Sequence, residues 1–490
     1  MMKRLKLAVA AVVLSAGTAL AAQDTLTLGM ALEPPNLDPT AGAAAAIDEV
    51  TYANIFEGLT RFAPDGSIVP SLAEKWEVSD DGKVYTFTLN HNVKFHDGTD
   101  FNAADVVFSL DRARGPDSTN AQKQLFTNID KVEAPEPFLV RVTLRSSDGN
   151  FPFNLAWGDA VMVAEESAAT NATHPVGTGP FKFVEWAKGD HVTIERNVEY
   201  WGTPAKLTSA TFKFISDPTA AFAAVMAGDV DAFPNFPAPE TLAQFESDPR
   251  FKVLVGTTEG EVILGLNNRK APLDDIRVRK AIAHAINRQE LIDGAMFGYG
   301  VPIGTHFAPH NPDYVDLTAL SAYDPERSKA LLKEAGVEGL RLRLALPPPA
   351  YARRSGEIIA AELRAVGIET EIANLEWAQW LEQVFKGKDF DMTIVAHVEP
   401  MDINIYARPD YYFGYAKPEF VTLMDTLAAT TGREARSDLL KKAQKMISED
   451  FVNGFLFQLP KAGVANAKIR GLWENSPTPA NDLTAVFWEE

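Results

Sequence analysis

Apolar and polar positions between Leu72 and Arg112 follow an order that predicts a turn, a strand, a second turn and a helix. Val84 to Leu89 (VYTFTL) mostly alternates, as a strand with one buried face requires. Asp80-Asp81-Gly82 supplies a tight reversal before it, and Phe95-His96-Asp97-Gly98-Thr99 turns the chain again after it. Asn102 then stands where an N-cap belongs, with Asp105 three residues on to answer the exposed amides. Nearer the start, Thr25 to Gly29 predicts a strand and Pro34 to Pro39 an extended turn. A helix is expected through Tyr52, Ile55, Phe56 and Leu59, ending at about Gly58.

From Tyr323 to Ala396 the pattern is regular. Asp324-Pro325 predicts a capped helix start and Gly336 its end. Leu340 to Leu346 alternates strictly and predicts a strand, stopped by Pro347-Pro348-Pro349. A helix is expected from about Arg353 to Val366, with Ile358, Ile359, Leu363 and Val366 on its apolar stripe. Ile368 to Ile372 predicts a second strand. A short helix with Trp377, Trp380 and Leu381 leads to a third, Phe390 to Ala396. Strand-helix-strand-helix-strand in this spacing means a parallel sheet with right-handed crossovers, so the chain is α/β. Ligands of such sheets sit beyond the carboxyl ends of the strands, which selects Pro347 to Arg354 and His397 to Arg408.

The chemistry of those two segments is complementary. Arg353 and Arg354 stand at a helix start, where guanidinium and free amides both favour a carboxylate. Glu399 and Asp402 follow the third strand and offer acceptors to an ammonium or to hydroxyls. Together these suit a zwitterion. Pairing of an arginine with Glu357 or another surface acid, and ordinary loop acids, are equally open readings. Tyr406, Tyr411, Tyr412, Phe413 and Tyr415 crowd a loop with Arg408, and Trp157 lies in a Phe-rich stretch of the first half. Such rings wall ligands by stacking. Core or hinge packing is the favoured alternative for the tyrosine cluster, and for Trp157 the two stand level. The candidate ligand-binding set is Arg353, Arg354, Glu399, Asp402, Trp157, Tyr406, Arg408, His397 and Trp377.

Composition narrows the classes. The 490 residues suffice for two or three domains, and no cysteine is available for a disulfide framework or a lipid anchor. Lys3, Arg4 and Lys6, the apolar run Leu7 to Leu14 and Ala19-Leu20-Ala21 read as an export signal. Its removal takes away three basic residues and moves the net charge from −20 to −23. That charge argues against nucleic acid and anionic lipid as partners. H-E-x-x-H, G-x-S-x-G and Walker-type motifs are absent, so no catalytic role, metal or cofactor is expected. His96 is expected to make a structural hydrogen bond, while His306 and His397 keep a small chance of a metal role. Glu399 and Asp402 as a hydrolytic pair remain a remote alternative.

One ordered string resembles the signature of the large extracellular solute-binding proteins, family 5, of peptide and nickel ABC importers. Its pieces are Ala73-Glu74-x-Trp76, Asp81-Gly82-Lys83-x-Tyr85-x-Phe87-x-Leu89, Phe95-His96-Asp97-Gly98 and Ala104-Asp105-Val106-Val107-Phe108-Ser109. Val176 to Phe181, Arg196-Asn197-x-x-Tyr200-Trp201-Gly202 and Val278 to Ile282 extend it, though turn chemistry and core packing explain most such residues by themselves. The resemblance implies a two-lobed periplasmic binding protein fold (type II, cluster C-like). Lobe I would span 22–267 and 463–490, with an inserted subdomain at about 62–173, and lobe II 268–462. It implies a soluble periplasmic monomer that hands a short peptide or related zwitterion to an inner-membrane permease driven by a cytoplasmic ATPase. An oligosaccharide or opine-like conjugate is the alternative cargo. Peptide-binding relatives clamp the ligand carboxylate with an arginine at the matching helix start. Their ammonium-binding aspartate falls on Ala396 here if Glu399-Pro400 matches the family's Asp-Pro pair, a departure that puts ordinary peptides in question.

Overall fold

The computed structural model describes residues 23–490 apart from 43, 399, 400 and 416. The expected export signal and the candidate Glu399 lie outside the described residues.

A mixed sheet of eleven strands runs through the molecule. At one end, Glu369–Asn374, Arg341–Leu346 and Met392–His397 lie side by side in parallel, with the central strand first in sequence. This is the arrangement that the strand-helix alternation predicts. Capping placed its helices where expected: the Asp324 side chain accepts from the Arg327 amide at 2.8 Å, and Gly336 ends Pro325–Ala335 at φ 73°. The helix Ala350–Ala365 buries Ala352, Ile359 and Leu363 against Leu342, Leu344 and Leu346 of the sheet. At the other end, Thr25–Met30 pairs in parallel with Ser209–Phe214, followed by His191–Arg196 and Phe181–Ala187. A separate four-stranded antiparallel sheet contains Val84–Leu89, whose faces alternate as the sequence requires. The helix Ala103–Arg114 packs on it with the expected capping box, the Asn102 amide reaching Asp105 at 2.9 Å.

Two long strands, Phe251–Leu266 and Gly454–Asn466, join the two ends. Residues 251–257 pair with 460–466, and 261–264 with 454–458, with a break in register between Thr257 and Glu261. Only the later part of the first strand pairs with Met392–His397, and only the end of the second with Ala232–Phe233. The change of neighbours therefore falls inside the strands and not at the loops that follow them.

The helix expected through Tyr52 to Leu59 is absent, and the helix lies earlier, at Ala45–Thr51. Tertiary contacts override the local spacing. Tyr52 is extended at ψ 130° and Ala53 left-handed at φ 58°. The Tyr52 hydroxyl donates to the Ala156 carbonyl at 2.9 Å, and the Asn54 side chain bonds Asn481 and Leu483 near the far end of the chain.

Two of the motifs that carry the resemblance, Val176 to Phe181 and Arg196 to Gly202, meet at one buried carboxylate. Glu57, 5% exposed, accepts from Tyr200 at 2.7 Å, Thr178 at 2.8 Å and Trp201 at 3.0 Å. Burial raises its pKa, and the three donors pull it back. Gly177 and Gly179 pass so close to this segment that a Cβ would lie 1.9 Å from the Ile55 carbonyl oxygen and 2.4 Å from that of Asn54. His96 makes the structural bonds expected of it. The Gly177 amide donates to Nδ1 at 3.3 Å, so the ring proton sits on Nε2 and goes to the Gly179 carbonyl at 2.9 Å. Burial pushes its pKa down to about 4.

Two predictions follow from this junction. Glu57→Ala leaves three buried donors without an acceptor, and urea unfolding should show a loss of about 3–5 kcal/mol. His96 stays neutral when folded but takes a proton when unfolded, so its contribution is complete above about pH 6.5 and is lost as the pH falls toward 4. The loss is roughly 3 kcal/mol. His96→Gln should flatten the stability profile in that window relative to wild type; parallel profiles would refute the assignment.

Candidate functional site

A cavity of about 440 Å³ opens where the long strands break register. Thr258, Glu259 and Gly260 of the break form one wall, with Val398 from the end of the third parallel strand. Most of the remaining lining comes from the first half of the chain, joined by residues 476–479. The helix Ala45–Thr51 presents Asp48 and Glu49, and the turn Gly158–Ala160 with its flank presents Trp157 and Asp159. Trp157 is braced edge-on by Phe62 and Phe153, each ring 6.5 Å away.

This wall is acidic and its carboxylates are largely buried. Burial raises the pKa of Asp48 well above the usual carboxylate range, and the nearby charges of Asp159 and Glu49 raise it further. Burial pushes Asp159 up to about 6. Glu49 is also raised by burial, opposed by the Asn235 amide at 3.1 Å and by the charge of Lys461. Lys461, buried in the second long strand, is pushed down to about 8 by burial, with Glu49 pulling the other way. Asp48 Oδ1, Asp159 Oδ1 and Trp157 Nε1 are buried without a hydrogen-bond partner. Glu259 is engaged: His310 holds it at 2.6 Å and reaches Thr257 through its other nitrogen at 2.6 Å.

At the strand ends of the other half, the two arginines separate. Arg353 lies in the first turn of its helix, 3.3 Å from Glu376, with its side chain 40% exposed and Nε buried without a partner. Arg354 turns to the neighbouring helix, where it stacks over the Phe297 ring at 4.8 Å and donates to the Ala295 carbonyl at 3.5 Å. Neither pairs with Glu357. Trp377 is half-exposed beside Glu376 and packs edge-on against Trp380. Arg408 is exposed and bonds Asn404 at 3.2 Å.

The remaining candidates form a closed cluster. Asp402 accepts from His306 Nε2 at 2.7 Å and lies 3.5 Å from His397 Nδ1. Burial alone would raise its pKa, but the two imidazoles hold it well below the usual range. The Tyr406 hydroxyl meets His306 Nδ1 at 3.1 Å and accepts from Asn453 at 3.2 Å, and the Tyr412 hydroxyl meets His397 Nε2 at 3.1 Å. Tyr406, Tyr412 and Phe413 are 0–1% exposed. Tyr406 as a ligand wall is thus corrected: its ring belongs to a core of stacked aromatics. His306, His397 and Asp402 place their ligand atoms within 4.8 Å of one another, the one such cluster among the described residues. Each imidazole nitrogen there already has a polar neighbour, and the group ties the loop after the third parallel strand to the segment around His306.

Sequence reasoning overlooked Asp48, Glu49, Asp159 and Lys461. Two adjacent acids after an alanine run, and one lysine as the single charge of the second long strand, were the available signals.

Two halves joined through one sheet, with a polar crevice at the junction, define a protein built to enclose a small solute. A profile described as bacterial extracellular solute-binding proteins, family 5 Middle, matches residues 67–416. The glutathione-binding protein GsiB of Pectobacterium atrosepticum is 30% identical, over 85% of this chain and 85% of its own length. The dipeptide-binding protein of Escherichia coli is 29% identical, over 78% and 79%. HbpA2 of Haemophilus parasuis superposes with a TM-score of 0.88 at 24% identity, over 95% of this chain and all of that one. The chain belongs to the family 5 extracellular solute-binding proteins, the substrate-binding components of ABC importers. Among the described residues no helix is long and apolar enough to cross a membrane.

Asp402→Ala deprives two buried imidazoles of their shared carboxylate, and chemical denaturation should report a loss of about 3 kcal/mol. A loss below 1 kcal/mol would show the cluster to be dispensable.

Proposed function

We propose that this protein captures a short peptide or related zwitterion between two lobes in the periplasm and delivers it to an inner-membrane permease. The lobes divide at Thr257–Glu261 and near Gln458–Pro460, where the long strands change neighbours. The observation that carries the reading is Arg353: a half-exposed guanidinium in the first turn of a helix, beyond the carboxyl end of a parallel strand, with Nε still lacking a partner. A guest carboxylate would complete it, with the helix amides adding to the attraction. Dipeptides and glutathione, the ligands named for the two relatives, both carry such a carboxylate. The opine or oligosaccharide alternative keeps Trp157 as a stacking surface but loses the tyrosine loop, because Tyr406, Tyr412 and Phe413 are core residues. On this reading the protein works as a monomer and no bond of the guest is made or broken.

Closure around the guest stabilises the folded chain by about 4 kcal/mol when ligand stands at a thousand times its dissociation constant. Scanning calorimetry with a dipeptide panel should show that stabilisation in wild type and in Arg354→Ala, and its loss in Arg353→Ala. An unchanged shift in Arg353→Ala would retire the carboxylate clamp.

A further inference from the structure

The cavity wall donated by the first half of the chain makes a demand that the protein does not meet itself. Asp159 is 7% exposed, lines the cavity, and its Oδ1 has no partner. Asp48 Oδ1 is likewise buried and unpartnered in the same cavity. Of the ten buried side-chain polar atoms without partners among the described residues, three line this one space, the third being Trp157 Nε1. The Asp159 carboxylate keeps a hydrogen bond from the Gln122 amide, but unpartnered buried carboxylate oxygens are costly, and a folded chain seldom keeps two together without use for them. The basic groups at hand do not settle the account: Lys461 acts on Glu49, and His310 is committed to Glu259.

A bare metal ion fits poorly. Metal ligands must converge, and the cluster that does so within 4.8 Å among the described residues is His306, His397 and Asp402, not the acids of this wall. Acceptors that face a cavity of about 440 Å³ without converging suit a larger cation with several donors. The indole of Trp157 beside them adds a surface on which organic cations rest favourably.

We propose that Asp48 and Asp159 form a subsite for an organic cationic group of the guest, an ammonium or guanidinium, with Trp157 as its aromatic wall. The inference rests on the zwitterion reading above and adds which lobe holds the positive end. Of the two acids first expected to hold it, Asp402 is already engaged by two imidazoles and Glu399 lies outside the described residues. A cation between Asp48 and Asp159 also relieves the burial that raises both pKa values and the charge of Asp159 that raises that of Asp48 further.

The test uses the full mature chain, lysyl-alanine, and the same dipeptide acetylated on both amino groups, which keeps the carboxylate and removes both cations. Isothermal titration of wild type should show at least a hundredfold preference for the free peptide. The Asp48→Asn/Asp159→Asn double variant should bind both forms with similar, weak affinity, and its ligand-free form should melt no lower than wild type, because two buried charges have gone. A double variant that keeps the hundredfold preference would overturn the subsite while leaving the carboxylate clamp standing. So would a ligand-free variant that melts lower than wild type, since the carboxylates would then have had partners. Equal binding of both forms by wild type would also remove the subsite. Loss of all binding in Arg353→Ala alongside the wild-type preference supports both readings, whereas no binding of either peptide by wild type at millimolar concentration overturns both.

Discussion

Everything this molecule can do as a binder depends on two strands that belong to both of its halves. Phe251–Leu266 and Gly454–Asn466 pair with each other along most of their length, yet the first gains Met392–His397 only from Glu261 onward and the second meets Ala232–Phe233 only at Val464 and Ala465. Continuous ladders resist bending because bending breaks backbone pairs. On the proposed reading, relative motion of the lobes concentrates where the register breaks, between Thr257 and Glu261. That segment is also a wall of the cavity, so a guest seated there touches the joint itself. The polar network Thr257, His310, Glu259 and Asn475 sits on this joint and supplies partners for groups that the ladder leaves unpaired.

The residues that make the family recognisable do a different job from those that meet the solvent of the crevice. Thr178, Tyr200 and Trp201 spend their polar groups on Glu57, and His96 spends both ring nitrogens on the backbone of 177–179. Arg279, in another of the shared motifs, is buried and donates to the carbonyls of Phe451, Leu273 and Asp450. These groups are consumed by the fold. A signature built from them identifies the architecture strongly and says little about cargo, which explains how one family accommodates relatives named for dipeptides, glutathione, heme and nickel.

Legibility followed the range of the forces involved. The parallel unit from Pro325 to His397 was readable because its caps, its glycine stop and its alternation act over a few residues. The helix expected at Tyr52 to Leu59 failed because Asn54 and Tyr52 answer to partners more than a hundred residues away, which no local spacing reports. The site suffered most from this limit. Arg353 and Arg354 are adjacent and chemically identical, and neighbours distant in sequence separate them, Glu376 for the first and Phe297 with the Ala295 carbonyl for the second. Asp402 looked like a free loop acid because His306 is distant in sequence. Asp48 and Asp159 were invisible as a pair, since each is an ordinary acid until the fold buries both beside one cavity.

The two poles assigned to the crevice differ in kind, and the difference bears on selection among guests. A chain of net charge −20 surrounds the cavity with a field that draws cations and repels anions. On the proposed reading a carboxylate settles where that field is locally reversed, at Arg353 and its helix start. Closure expels water and lowers the effective dielectric, which strengthens correct pairings and raises the cost of missing ones. A guest with a carboxylate but no cation would leave Asp48 and Asp159 sealed and unpartnered; one with a cation alone would do the same to Arg353. Each half-matched guest can dock on the open crevice, but neither offsets the cost of shutting it. On the proposed reading, discrimination thus resides in the closing step, and a dipolar guest is admitted in one orientation.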